Sequence, residues 1–97
     1  MAGYIVLYKF TEEGAKTVKD LPARVKHAKE LSGQMGIRVV GVWLTMGEYD
    51  MVAVVDAPDD QTLAARLLMT GKAGHATTQT MRAFSEEEFA QIVAKLP

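Results

Sequence analysis

Asp50, Lys9, Tyr8, Tyr49 and His75 are the residues best placed to do chemistry, because the segments carrying them read as β-strands that meet at one sheet edge. Asp is depleted in strands, so the carboxylate of Gly47-Glu48-Tyr49-Asp50, at the root of a hairpin, needs a partner or a purpose. With antiparallel pairing, Lys9, Asp50 and Thr78 fall near one another on one side of the sheet, and Tyr8, Tyr49 and His75 on the reverse side at the same end. A carboxylate, an ammonium, two phenols and an imidazole at one rim form an acid–base or ligand-orienting set. Asp50 and His75 are then the candidate catalytic residues. Tyr8, Lys9, Tyr49 and Thr78 are candidate substrate-binding residues, with Trp43 as a ring for stacking.

Each of these also has a structural reading. Asp50 can pair with Lys9 across the strands or accept a backbone N–H at the hairpin. His75 can stand idle at a strand entrance, and Trp43 can serve core or interface packing. His27 belongs to the polar flank of the first helix, and the six methionines read as gap-filling core. Two histidines among scattered carboxylates match no metal-ligand spacing. The Gly71 to Gly74 turn lacks the Gly-x-x-x-x-Gly-Lys-Ser/Thr pattern of a phosphate-binding loop and reads as a helix terminus, so neither metal nor cofactor is expected.

The elements that must position these residues follow from periodicity. Tyr4 to Phe10 is rich in β-branched and aromatic residues and reads as a strand, followed by a helix-start signal at Thr11-Glu12-Glu13. Val18, Leu21, Val25, Ala28, Leu31 and Met35 mark the buried stripe of a long first helix, which Pro22 kinks or splits. Ile37 to Thr45 and Tyr49 to Asp56 are two strands joined by the short loop Met46-Gly47-Glu48. With a three-residue loop, Arg38 faces Asp56 across the hairpin and acts as a register device. Ala57-Pro58-Asp59-Asp60 stops the strand and starts a second helix, whose apolar face is Leu63, Ala64, Leu67 and Leu68. His75 to Phe84 is a fourth, edge-like strand. Ser85 and Glu88 form a capping box for a last helix with Phe89, Ile92, Val93 and Leu96 as its inner stripe. The order βαββαβ plus a terminal helix is the ferredoxin-like α+β plan, a four-stranded antiparallel sheet in the order 4-1-3-2.

Ninety-seven residues with 48% apolar content give one domain, 1–97, with a small core. Eleven basic against twelve acidic residues leave a net charge of −1 without a stretch of five or more like charges, which argues against a nucleic-acid partner. The chain has no cysteine, no signal-like start and no apolar run long enough for a membrane span. It is expected to be cytoplasmic, with no membrane partner.

Strand alternation separates the two sheet faces. One carries Tyr4, Val6, Tyr8, Phe10, Val39, Trp43, Tyr49, Met51, Ala53 and Val55, with His75, Thr77, Gln79 and Met81. The other carries Ile5, Leu7, Lys9, Val40, Val42, Leu44, Asp50, Val52 and Val54, with Thr78, Thr80 and Arg82. Both are apolar at their centres, whereas a sheet with one wet side alternates. Crossover helices in this topology cover a single face, so the other would leave large side chains in water, each forgoing roughly 1.5–3 kcal/mol of burial. A second copy packed about a twofold axis is the expected cover. Periodicity leaves open which face meets the helices. The aromatic face is expected to line the ligand cleft, because its polar tips would go unsatisfied in a dry, helix-covered layer.

The segments Tyr4-Ile5-Val6-Leu7, Thr11, Gly14, Leu44-Thr45-Met46-Gly47-Glu48-Tyr49-Asp50, Ala57-Pro58-Asp59-Asp60, Thr80-Met81-Arg82-Ala83-Phe84 and Glu88 together resemble a GYD-domain protein. The likeness runs over essentially the whole chain. It implies membership of the dimeric α/β-barrel superfamily, which includes antibiotic-biosynthesis monooxygenases, muconolactone isomerases and stress-responsive barrel proteins. It therefore implies paired sheets, but no particular activity. Gly47, Tyr49 and Asp50 are marker positions by this resemblance. Thr80 and Arg82 fall in a recurring segment, which adds Arg82 to the candidate substrate-binding residues. His75 stands where an amide or small polar residue is expected, so no catalytic histidine carries over.

The expectation is a homo-oligomeric domain that binds a small hydrophobic or aromatic molecule. As an enzyme it would perform cofactor-free proton transfer or oxygenation, with Asp50 or His75 moving the proton. The alternative is a non-enzymatic assembly or regulatory module.

Overall fold

The computed structural model describes residues 1–97. Its elements are β1 (Ala2–Phe10), α1 (Glu12–Lys16), a 3₁₀ turn (Val18–Asp20), α2 (Leu21–Gln34), β2 (Arg38–Leu44), β3 (Met51–Ala57), α3 (Asp60–Ala73), β4 (Ala76–Ala83) and α4 (Glu86–Val93). The strands form one antiparallel sheet in the order β2-β3-β1-β4, the ferredoxin-like arrangement expected. Pro22 splits the first helical region. It sits in the first turn of α2, where its missing N–H leaves no bond unmade, and the 3₁₀ turn takes up the break.

Side chains close the helix starts. Thr11 accepts from the Gly14 N–H, Asp59 from the Thr62 N–H, and Ser85 and Glu88 complete a reciprocal capping box. The Thr62 N–H holds the Asp59 carboxyl below its usual range, and the Ser85 N–H does the same for Glu88. Both caps are therefore at full strength above the ordinary carboxylate range and weaken as pH falls through it.

Helices α2 and α3 cover the face that carries Tyr4, Val6, Tyr8, Ala53 and Val55. The core is a cluster of Tyr4, Val6, Ile37, Ala53, Val55, Ala57 and Leu63. It is thin, with ten of 97 residues buried. The aromatic face is thus also the helix-covered one. Its polar tips do not prevent this, since α3 supplies the Asp60 carboxylate that accepts the Tyr4 hydroxyl hydrogen bond.

Two parts of the expected face assignment are corrected. Leu44 pairs with Met51, so the β2–β3 turn is longer than three residues, and a register shift between Val39 and Gly41 absorbs the difference. Arg38 consequently still faces Asp56, at 3.4 Å. Between the bulge and the turn, however, every side chain changes sides. Val42 joins Ala53 under the helices, and Trp43 joins Val52 on the open face. In β4, Tyr4 pairs with Arg82, Val6 with Thr80 and Tyr8 with Thr78, so these three β4 residues lie on the helix side, with Gln79 and Met81 on the open side.

The open face is built from Ile5, Leu7, Val52 and Val54 on the two central strands, flanked by Trp43 and Met81. Trp43 is 52% exposed, its ring lying over Gly41. None of the chain's own helices covers this surface. Nor does α4 fold back on the core as its spacing suggested: Phe89 is 51% and Leu96 69% exposed. The molecule measures 52 × 31 × 18 Å. Nine-residue β1 accounts for only about 30 Å of the long axis at ~3.4 Å per residue. An Arg82–Glu88 contact of 3.8 Å tethers the outlying helix.

Candidate functional site

A cavity of about 610 Å³ lies between the helix-side sheet face and helices α2 and α3, well within the range of small-molecule sites. Val6, Ala53, Val55 and Leu63 form its apolar floor and wall. Tyr8 and His75 also line it. Tyr8 comes from β1, and burial raises its phenol above the usual range, with the Arg66 guanidinium opposing. His75 is fixed by the turn after α3. Gly74 ends that helix in the left-handed conformation, and the carbonyls of Gly74 and His75 accept from the Thr11 hydroxyl (2.6 Å) and the Thr11 N–H (3.1 Å).

The other candidates disperse. The Asp50 carboxylate accepts the Phe10 N–H at 2.8 Å while its own N–H donates to the Tyr8 carbonyl, so Asp50 extends the β1–β3 ladder by one rung. Of the readings open in the sequence, bonding to a backbone N–H is the one realised. Asp50 and His75 do not form a pair at the cavity. The Tyr49 hydroxyl donates to Gln79, and since Gln79 pairs with Leu7, the ring reaches across β1 on the open side, away from Tyr8. Lys9 is exposed on that same side, opposite Thr77. Thr78 sits under the helices beside Tyr8 and does not line the cavity. Trp43 is removed from the cavity by the β2 bulge.

Arg82 lies at the far end of the helix-side face. Its guanidinium stacks 4.4 Å over Phe84 and 5.6 Å over Tyr4, and it donates to the Gly3 carbonyl at 3.1 Å. Tyr4, Asp60, Thr80 and Arg82 line a second, smaller hollow of about 260 Å³. There the Asp60 carboxylate, followed by burial, raises the Tyr4 phenol above its usual range.

The model of the GYD domain matches residues 4–93. The chain belongs to the GYD-domain family. A curated relative, the "Glutamine synthetase and cystathionine beta-lyase binding protein" of Thermus thermophilus, is 36% identical over 97 residues, covering 99% of each chain. No solved structure gives a significant match. In this GYD domain the marker element Gly47-Glu48-Tyr49-Asp50 is a turn that closes the β2–β3 hairpin onto the end of β1. Gly47 supplies the positive φ of 120°, Tyr49 braces the open face and Asp50 locks the last rung. Asp50→Ala is expected to cost about 1–2 kcal/mol in chemical denaturation, because the Phe10 N–H loses a charged acceptor. Asp50→Asn, which keeps an acceptor oxygen, should cost less than half of that.

Arg24, Lys29, Ser32 and Arg66 line the cavity and escaped the sequence reading, and Arg66 matters most. Arg66 lines it from α3 and donates to Ser32 Oγ and Thr70 Oγ1, both at 3.1 Å, and to the Ala28 carbonyl at 3.5 Å. The signal was present. Leu63, Arg66, Leu67 and Thr70 follow the three- and four-residue spacing of a buried helical stripe, and a cation inside such a stripe marks a position with a partner or a ligand.

No helix is long and apolar enough to cross a membrane.

Proposed function

We propose that this GYD domain is a self-associating binding module that takes a small apolar or aromatic molecule into the cavity under α2 and α3 and docks on metabolic enzymes. The observation that carries this reading is the cavity itself, about 610 Å³ of mostly apolar lining, with Asp50 outside it and engaged by the backbone of β1. A site built for binding needs shape and a few oriented donors. A proton-transfer site also needs a free base against the substrate. Self-association is supported by the uncovered apolar sheet face and the thin core. Enzyme docking is supported by the name of the Thermus thermophilus relative, a binding protein of two metabolic enzymes.

The test is co-migration of the purified protein with glutamine synthetase and with cystathionine beta-lyase. Expected is a stable complex with at least one of them, together with a changed rate of the bound enzyme. Independent migration from both at micromolar concentration removes the docking part of the proposal.

A second reading, cofactor-free proton transfer or oxygenation of an aromatic metabolite, draws on the presence of His75 and Tyr8 in the same cavity wall. Aerobic product formation from a bound aromatic compound, abolished by His75→Ala, favours it over pure binding.

A further inference from the structure

Of the three tyrosines, Tyr4 donates to Asp60 and Tyr49 to Gln79, whereas the Tyr8 hydroxyl in the cavity makes no hydrogen bond within the chain. Lining the same cavity, Arg66 commits three of its five N–H groups to neutral oxygens and keeps two. The ion pairs of the molecule are Lys16–Glu12, Arg38–Asp56 and Arg82–Glu88, and Arg66 belongs to none of them. Its charge is held in place between α2 and α3 by Ser32, which is buried, and by Thr70, yet it is not neutralised. Arg24, which also lines the cavity, likewise bonds only to the carbonyl and hydroxyl of Thr17. In all, Arg24, Lys29 and Arg66 line the cavity against a single carboxylate, Asp20, in a protein of net charge −1. A positive lining around an apolar floor selects a ligand with one anionic end and an apolar body.

We infer that the cavity binds an apolar monocarboxylate, with its chain or ring along Val6, Ala53, Val55 and Leu63 and its carboxylate on the guanidinium of Arg66 and the hydroxyl of Tyr8. This rests on the reading of the cavity as a ligand site and adds the ligand's chemical class. The planar guanidinium matches the two oxygens of a carboxylate, and a fixed fork loses little freedom on binding. Burial keeps the Tyr8 phenol protonated at neutral pH, hence a donor. A phosphate dianion would call for a second fixed cation at the same point, but the Arg24 guanidinium is turned to Thr17 and Lys29 is exposed with no hydrogen bond to hold it.

The probes are matched acid and alcohol pairs, decanoate with decanol and phenylbutyrate with phenylbutanol, titrated into the full chain by calorimetry and followed at the methyl resonances of Val6 and Leu63. Expected is saturable binding of all four, with each acid at least about tenfold tighter than its alcohol, as a charge-assisted hydrogen bond implies. Arg66→Gln should bring the acids down to the level of the alcohols and leave the alcohols unchanged. Acid and alcohol binding equally to the wild-type protein overturns the carboxylate inference while the cavity stands as a neutral site. If none of the four shifts the cavity methyls, the binding reading falls and takes this inference with it. Because Arg66 also ties α2 to α3, the wild-type comparison of acid with alcohol decides the matter even if the variant fails to fold.

Discussion

Gly14→Ala lowers the stability of the fold by about 3 kcal/mol, the upper range for forcing extra volume into a packed site, and the melting temperature by roughly 15 °C for a domain of this size. A Cβ at position 14 would lie 1.9 Å from the carbonyl oxygen of His75 and 2.9 Å from its carbonyl carbon. Those are backbone atoms at the junction of α3 and β4, so no rotamer change relieves the contact. The whole start of α1 must retreat. With it go the hydrogen bonds from Thr11 to Gly74 and His75, and the Thr11 hydroxyl is the same group that caps α1 through the Gly14 N–H. Thermal and chemical denaturation measure the effect. Gly33→Ala is the control: it lies in α2 with no atom within 4 Å of the added methyl, and should be neutral or stabilising by about 0.5–1 kcal/mol. Equal effects of the two substitutions would show that α1 does not dock on His75 as described.

On the proposed self-association, Val54→Lys is expected to give a single folded subunit at micromolar concentration. Val54 pairs with Ile5 on β1 and with Gly41 on β2, at the centre of the open face. In an isolated subunit a lysine there extends into water and costs little. Between two sheets packed face to face it becomes an uncompensated buried charge that costs several kcal/mol, and twofold symmetry brings a second one close to it. A loss of about 3 kcal/mol weakens association more than a hundredfold. Sedimentation with circular dichroism reads both mass and fold. An unchanged mass would place any subunit contact elsewhere, and the exposed stripe of α4 would be the first surface to examine.

The element order and the sheet order were legible because each strand and helix carries its own period and its own cap. Thr11, Asp59 and Ser85 stand where their side chains close helix starts, and Pro22 marks a real break. Which side each strand shows was less legible. The bulge near Val40 leaves no trace in composition, since Val39, Val40 and Val42 are interchangeable to a periodicity argument, and a single extra residue moves Trp43 to the opposite face. The phase of β4 was hidden for a related reason: Thr77, Thr78 and Thr80 suit either side of an edge strand. Thr78 therefore lies on the side of Tyr8, and Tyr49 on the opposite one, the reverse of the expected placement. Asp50 drew attention as an acid in a strand, and the structure gives it a backbone partner, which is the commoner fate of such groups. Arg66, by contrast, was signalled in the sequence only as a cation inside the buried stripe of α3, and its place in the cavity became visible when helices α2 and α3 closed over the sheet.

Ten buried residues out of 97 leave this GYD domain with an apolar sheet face that its own helices do not cover, and the proposed function depends on that face meeting a second copy. Equilibrium sedimentation of the wild-type protein at micromolar concentration tests this most directly. A mass of at least two 10.6 kDa subunits is expected, falling to one in Val54→Lys. A stable wild-type species of one subunit, with the side chains of Ile5, Leu7, Val52 and Val54 freely accessible to solvent, would contradict it.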